Sequence, residues 1–254
     1  MNELLWVGML AINFAGILLV YRFFGRVGLF VWIPIAAIVA NIQVIKYVEL
    51  FGLTATLGNV VYATSFLVTD ILSENHGRRH ANRAIAVGFV ALIAMVVLMN
   101  LALLFEPDAA DESHDHLVAI FTLLPRITLA SLLAYAVSQY HDVWAYHLWK
   151  KRIPARRHIW IRNNLSTLVS QLIDSVVFTL AAFLGRVPGP VLVEIIVTTY
   201  VLKAIVAVAD TPLVYLASRW RSRGLIPGIE LDEDVRSPAD HPSQTGAGRA
   251  GETR

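Results

Sequence analysis

The sequence predicts an all-α protein whose helices form a polytopic bundle in a membrane, and two observations lead to this prediction. First, 56% of the 254 residues are apolar and only 16% are charged, whereas a soluble domain carries about a quarter charged residues. Second, seven stretches are long and apolar enough to cross a bilayer, which takes about 20 residues at about 1.5 Å of rise each. With a mean hydropathy of +0.60, much of the surface is expected to face lipid.

The seven predicted spans follow one another along most of the chain. Lipid offers no partner to a free backbone N–H or C=O group, so each span is predicted to be a helix. The first is expected to be a retained helix rather than a signal peptide, because no basic segment precedes it and no small-residue cleavage site follows it. The spans run near 3–21, 28–47, 54–72, 84–105, 126–148, 165–185 and 190–217.

The segments between the spans predict their orientation. Basic residues follow the first, third, fifth and seventh spans, whereas the loop after the fourth is acidic. The positive-inside rule then places the amino terminus outside the cell and the carboxyl terminus in the cytoplasm. The basic run 150–162 is interpreted as a topology signal that contacts anionic lipid, not as a nucleic-acid site.

The chain divides by composition into a transmembrane domain, 1–225, and a tail, 226–254. The tail is rich in Pro, Gly, Ser, Asp and Glu, buries too little apolar surface to fold, and is predicted to be disordered. Segment 109–125 is expected to form a short amphipathic element on the outer surface.

Several chemistries lack support in the sequence. The absence of cysteine excludes disulfides and thiol catalysis, and no phosphate-binding loop or zinc-protease motif occurs. The histidines show no spacing typical of metal ligands. We therefore expect no enzyme, no cofactor and no bound metal.

Four of the predicted spans carry polar side chains at spacings of three and four, which places each set on one helical face. The fifth span contains Thr128, Ser131, Tyr135, Ser138 and Asp142, with Gln139 beside them and Arg126 at its start. The sixth contains Asn163, Thr167, Ser170 and Asp174, with Gln171 beside them; the seventh contains Tyr200, Lys203 and Asp210; the third contains Asn59, Tyr62, Thr69, Asp70 and Glu74.

Charged residues inside a bilayer cost at least about 2.5–3.5 kcal/mol each near its centre. Asp174 and Lys203 fall near the middle of their spans, so we predict that they face each other. Single hydroxyls and amides have a simpler alternative, which is hydrogen bonding between helices. For Glu74, pairing with Arg78 four residues later is an equally open interpretation.

Five segments around these positions resemble the queuosine precursor transporter family, also described as the vitamin uptake transporter (VUT) family. They are ANIQVIKYVELFG (40–52), FLVTDILSENHGRRHANRA (66–84), PRITLASLLAYAVSQYHDVWAYHLWK (125–150), NNLSTLVSQLIDSVVF (163–178) and YVLKAIVAVADTPLVY (200–215). The resemblance implies a six-helix transporter unit, to which the first span here is an addition. It implies import of 7-cyano- or 7-aminomethyl-7-deazaguanine across the inner or plasma membrane, for tRNA modification.

The resemblance also implies which polar positions matter. A carboxylate accepts from the adjacent N–H groups of a guanine edge, and cations or amides donate to its acceptors. We hypothesise a midplane pocket among the third, fifth, sixth and seventh spans, with Asp174 or Asp142 on the guanine edge and Tyr62, Tyr135 and Tyr200 on the flat ring. The shared positions are Asp70, Glu74, Arg126, Gln139, Asp142, Gln171, Asp174 and Lys203.

Other functions remain open from the sequence alone. The chain is alternatively a substrate-capturing membrane subunit, or an importer of another purine-like compound or vitamin, energised by a partner ATPase. Its partners are expected to be a small-molecule substrate and the lipid bilayer, with no nucleic acid, and its oligomeric state is not predicted.

Overall fold

The computed structural model describes residues 1–121, 125–185 and 188–227. Within them the chain is an all-α bundle of seven helices with one small β-hairpin, as the predicted fold class requires. The helices are α1 (Asn2–Gln43), α2 (Gly58–Asn75), α3 (Arg78–Ala102), α4 (His114–Phe121), α5 (Pro125–Arg152), α6 (Ile159–Phe183) and α7 (Gly189–Ser222), and the strands are β1 (Tyr47–Leu50) and β2 (Leu53–Thr56).

Helix α1 is two helices joined at a sharp break, and these correspond to the first two predicted spans. Gly25 has φ 58° and ψ −139°, a conformation outside the helical region that glycine adopts without steric cost. The two halves fold back on each other and pack closely. A Cβ atom on Gly16 would collide with the ring of Trp32, and one on Gly28 would collide with the carbonyl oxygen of Val20.

The β-hairpin corrects two predicted boundaries. The second span was predicted to reach residue 47 and the third to begin at residue 54, but helix α1 ends at Gln43 and α2 begins at Gly58. Strands β1 and β2 pair antiparallel between them, with Tyr47 opposite Thr56. The reversal lies at Phe51 and Gly52, both with positive φ, so the chain turns before the next helix starts.

Helix α2 is the central helix of the bundle. Fourteen of its 18 residues are buried, and it packs against α1, α7, α3 and α5. Helix α3, by contrast, buries only five of its 25 residues, which agrees with its almost uniformly apolar sequence. The polar side chains of α2 therefore lie inside the protein, where they contact those of α5, α6 and α7.

Four helices are long and apolar enough to cross a membrane by length and composition: α1, α3, α6 and α7. Helices α2 and α5 have 18 and 28 residues but carry more polar side chains, most of them turned into the bundle. Helix α4 lies in the segment where a short amphipathic element was expected, and it buries none of its residues. The protein is a polytopic helical membrane protein.

The two ends of the bundle differ in charge. The basic end holds the break at Gly25, the turn between α2 and α3, the segment between α5 and α6, and the last turn of α7. Its contacts include Arg26 with His80 and Arg221 with His76. The hairpin end holds the β-hairpin and the first turn of α1, where the side-chain amide of Asn2 donates to the carbonyl of Glu49.

The predicted tail begins inside the described residues and continues beyond them. Ile226 packs against the main apolar cluster, and Arg22 donates a hydrogen bond to the carbonyl of Leu225. The folded part of the chain therefore extends at least to these residues. Residues 228–254, which make up the rest of the predicted tail, lie outside the described residues.

Candidate functional site

An ion pair between two helices marks the centre of the candidate site. Lys203 on α7 donates to Oδ2 of Asp174 on α6, and the two side chains are 3% and 2% exposed. This confirms the sequence prediction that the two residues face each other. A buried charge without its partner is strongly unfavourable, so each charge of the pair compensates the other.

Two hydroxyl groups complete the surroundings of Asp174. The hydroxyl of Tyr62 on α2 donates to Oδ1 of Asp174 at 2.6 Å, and the hydroxyl of Ser138 on α5 donates to the same oxygen at 3.1 Å. The Lys203 ammonium lies 5.0 Å from the centre of the Tyr62 ring, within the range of a cation–π contact. One carboxylate thus connects four helices.

A cavity lies against this ion pair, in the half of the bundle nearer the hairpin end. It contains about 500 Å³ of unoccupied space, partly continuous with the outside, of which about 40 Å³ admits the centre of a water molecule. Its lining comes from α1, α2, α3, α5, α6 and α7: Ala37, Ala40, Asn41, Val44, Gly58, Asn59, Tyr62, Leu92, Ser131, Ala134, Tyr135, Asp174, Phe178 and Lys203.

Aromatic rings form part of the cavity wall. The rings of Tyr62 and Tyr135 meet edge to face, with centroids 6.0 Å apart. The hydroxyl oxygen of Tyr135 is buried and has no hydrogen-bond partner within the described residues. Since buried hydroxyls are normally paired, this one is free to bond a ligand or a water molecule.

A second polar layer lies closer to the basic end and contains three carboxyl groups. Asp70 on α2, Asp142 on α5 and Asp210 on α7 are all fully buried and close enough to interact electrostatically. Thr167 donates to Asp70 at 3.1 Å and Asn163 donates to Asp210 at 3.1 Å. None of the three lines the cavity, so the structure separates Asp142 from Asp174.

A third layer, at the basic end, is an ion-pair network around Glu74. Arg162 donates to Oε1 at 2.6 Å, Lys150 lies 3.2 Å from Oε2, and the hydroxyl of Tyr146 donates to Oε2 at 3.0 Å. The interpretation that Glu74 pairs with Arg78 is wrong, because the partners of Glu74 come from α5 and α6 instead. This layer joins α2, α5 and α6 at the basic end of the bundle.

The remaining predicted residues lie outside the cavity lining. Arg126 is exposed and donates to the carbonyls of Ala181 and Leu184, at 2.8 Å each, where α6 ends. Gln139 is buried and donates to Ser65 at 3.0 Å. Gln171 is buried, with neither side-chain atom bonded within the described residues, and Tyr200 is half-buried on α7.

Comparison with known proteins decides the family. A family model described as "Putative vitamin uptake transporter" matches residues 56–217. A protein of Bacillus subtilis (strain 168) named "Probable queuosine precursor transporter" is 45% identical over 218 residues, which cover 86% of this chain and 95% of that protein. The chain belongs to this family. It is thus a membrane transporter and not an enzyme. No solved structure matches it.

The family match covers most, but not all, of the cavity of this transporter. Residues 56–217 include every lining residue from α2 to α7. The three lining residues on the second half of α1, and Val44 directly after it, precede the matched segment. The wall of this cavity also includes α1 and Leu92 of α3, which lie outside the four spans of the hypothesised pocket.

Two buried charged residues of this transporter were missing from the sequence-based site. Arg162 was counted with the basic loop, but α6 already begins at Ile159, so Arg162 lies inside the bundle and is fully buried. Asp210 was placed on the polar face of its helix but not in the site. A charge inside an apolar span is the signal that identifies both, once the start of α6 is known.

Proposed function

We propose that this protein imports queuosine precursors, 7-cyano- or 7-aminomethyl-7-deazaguanine, and binds them in the cavity beside Asp174 and Lys203. The observation on which the proposal depends is the buried ion pair that lines this cavity. A carboxylate and an ammonium side by side offer both an acceptor and a donor to a neutral ring that carries both kinds of group. The name of the Bacillus subtilis relative supports the same substrate class.

Asp174 has about one acceptor position left for such a ligand, so the second donor of the guanine-like edge has to replace one hydroxyl donor. A carboxylate has about four acceptor positions, and Tyr62, Ser138 and Lys203 occupy three of them. In the proposed complex the guanine-like edge donates its ring N–H and amine to Asp174, while Lys203 donates to an acceptor of the ring. Neutral hydroxyl donors yield to the ligand more easily than the ammonium does.

The aromatic wall of the cavity suits a flat heterocycle. Stacking of a base on an aromatic side chain is worth about 1–3 kcal/mol, and both Tyr62 and Tyr135 line the cavity. The free hydroxyl of Tyr135 adds a further hydrogen bond. In the proposed complex these contacts favour a planar substrate.

The proposed arrangement in the membrane follows from the two ends of the bundle. The basic end faces the cytoplasm, in line with the positive-inside rule, and the amino terminus lies outside. The cavity then lies towards the outside, where an imported compound arrives. We further propose that the family's six-helix unit begins with the second half of α1, that the first half is an addition, and that the protein resides in the inner or plasma membrane.

A complementation assay tests the proposed function. Cells that cannot make the precursor receive the gene, are given 7-cyano-7-deazaguanine in the medium, and are assayed for queuosine in tRNA. We expect queuosine with the wild-type protein and with the control Asp108→Asn, an exposed carboxyl in the loop after α3, but not with Asp174→Asn. Absence of queuosine with wild-type protein present in the membrane would refute the proposal.

A further inference from the structure

The carboxyl group of Asp142 lies among three hydroxyl groups, each of which donates a hydrogen bond to another acceptor. The hydroxyls of Ser166, Thr167 and Ser170 surround it. Each hydroxyl has a single O–H donor. Ser166 donates to the carbonyl of Asn163 at 3.1 Å, Thr167 donates to Asp70 at 3.1 Å, and Ser170 donates to the carbonyl of Ser166 at 2.8 Å.

The consequence is an unpaired carboxyl group in the interior. Neither oxygen of Asp142 has a hydrogen-bond partner within the described residues, and one oxygen each of Asp70 and Asp210 is also unpaired. All three side chains are fully buried. An isolated buried carboxylate is far more costly than a neutral carboxyl group. A protonated Asp142 has an O–H group, which can donate a hydrogen bond to one of the surrounding oxygen atoms.

Among the described residues, no fixed positive charge pairs with these three carboxyl groups. In the described part of the chain, the nearby cations already have partners: Lys203 pairs with Asp174, while Arg162 and Lys150 pair with Glu74. Helix α3 has its charged residues only in its first turns. The titratable groups around Asp142 are Asp70 and Glu74 on α2, His141, Tyr146 and Lys150 on α5, Arg162 and Asp174 on α6, and Lys203 and Asp210 on α7.

The cluster is better suited to a proton than to a metal ion. Across the described residues, no group of three or more His, Cys, Asp or Glu side chains converges as metal ligands do. Thr167 and Asn163 donate to carboxyl oxygens of the cluster. A proton needs only one oxygen, whereas a metal cation such as Na⁺ needs several oxygens directed at one point.

We propose that Asp142 is a proton-binding site and that the cluster of Asp70, Asp142 and Asp210 couples import to an inward proton gradient. The site lies one helical turn beyond Ser138 on α5, about 6 Å further along the helix axis, between the cavity and the basic end. A proton taken from water in the cavity binds an Asp142 oxygen and leaves to water at the basic end. This inference rests on the proposed transport function.

Transport by wild-type protein in liposomes tests the coupling. Exchange of labelled for unlabelled 7-cyano-7-deazaguanine, without any gradient, first establishes that the protein transports this compound. With the membrane potential clamped at zero, an inward gradient of about one pH unit should then concentrate the compound up to about tenfold, if one proton accompanies each molecule. A sodium gradient at equal pH should have no effect.

The outcomes separate the two proposals. No exchange at all would refute the proposed substrate itself. Exchange with no response to the pH gradient, or accumulation driven by sodium, would overturn proton coupling while leaving the proposed function intact. Accumulation that follows the pH gradient supports both.

Infrared spectroscopy tests the proton site itself and needs no transport. A protonated carboxyl group has a carbonyl band that a carboxylate lacks. We expect one component of this band to disappear in Asp142→Asn, to shift in Asp142→Glu, and to be unchanged in the exposed control Asp108→Asn. A band identical in wild-type protein and in a folded Asp142→Asn or Asp142→Glu variant would overturn the assignment.

Discussion

Lys203 on α7 and Asp174 on α6 form an ion pair that is almost completely buried and lies on the wall of the candidate cavity. Its position explains why two charged residues are kept at hydrocarbon depth, where each alone is costly. The pair joins two helices and presents a donor and an acceptor to the same space.

The first prediction concerns the dependence of each charge on the other. Asp174→Asn leaves a buried ammonium unpaired and Lys203→Met leaves a buried carboxylate unpaired, so each should lower the free energy of unfolding by about 3–5 kcal/mol. The double variant leaves no unpaired charge and should lose less than the sum of the two. Thermal unfolding in detergent measures this, and strictly additive losses would contradict the pairing.

A second prediction concerns Tyr62. Its hydroxyl donates to Asp174 at 2.6 Å, and hydrogen bonds to charged groups are among the stronger ones. Tyr62→Phe should therefore lower stability by about 1–2 kcal/mol and also weaken substrate binding. The matched control is Tyr140→Phe on the exposed side of α5, which should change neither quantity. Equal behaviour of the two variants would mean that the Tyr62 hydroxyl has no structural role.

A third prediction concerns the network at the basic end. Arg162 is fully buried, pairs with Glu74 at 2.6 Å, and donates to the carbonyls of Ile153 and Pro154. Arg162→Gln removes one partner of a buried pair and should lower stability by about 3–5 kcal/mol. The exposed Arg79 provides the control, and Arg79→Gln should unfold at the wild-type temperature. If both variants do so, the buried network contributes nothing to stability.

The fourth prediction is a pH dependence from His76, in the turn between α2 and α3. Burial, and then the positive charges of Arg221 and Arg26, lower its pKa from 6.5 to about 3. A histidine with a lowered pKa in the folded protein stabilises it above pH 6.5, and this contribution is lost as the pH falls from 6.5 towards 3. Arg221 donates to Nδ1 of His76 at 2.8 Å, which only a neutral ring accepts.

Unfolding temperatures measured across this pH range test the role of His76. The loss of stability below pH 6.5 should be smaller in His76→Gln than in the wild-type protein, because glutamine does not titrate. His116→Gln, on the exposed side of α4, should retain the full pH dependence. A His76→Gln protein with an unchanged pH profile would show that another group is responsible.

The sequence predicted the helices and the central ion pair because both follow from the cost of polarity in lipid. Asp174 and Lys203 both fall near the middle of apolar stretches. Their similar position along the predicted spans was enough to predict that they pair. The break at Gly25 was also readable, since Arg22 and Arg26 separate two apolar runs. These features depend on local composition, which a single sequence contains.

Other features depend on how distant segments pack, and the sequence did not reveal them. The partners of Glu74 come from α5 and α6 rather than from its own helix, because tertiary contacts replaced the local i, i+4 pair. The contribution of α1 to the cavity wall depends on the fold-back at Gly25. The separation of Asp142 from Asp174 follows from one helical turn of offset, which side-chain type alone does not encode.

The most direct test of the central claim is equilibrium binding of 7-cyano-7-deazaguanine to purified protein. The wild-type protein and Asp108→Asn should bind it saturably, and Asp174→Asn combined with Lys203→Met should remain folded yet bind at least about tenfold more weakly, a loss of about 1.4 kcal/mol. Wild-type affinity in a folded double variant would contradict the claim that this ion pair forms the substrate site.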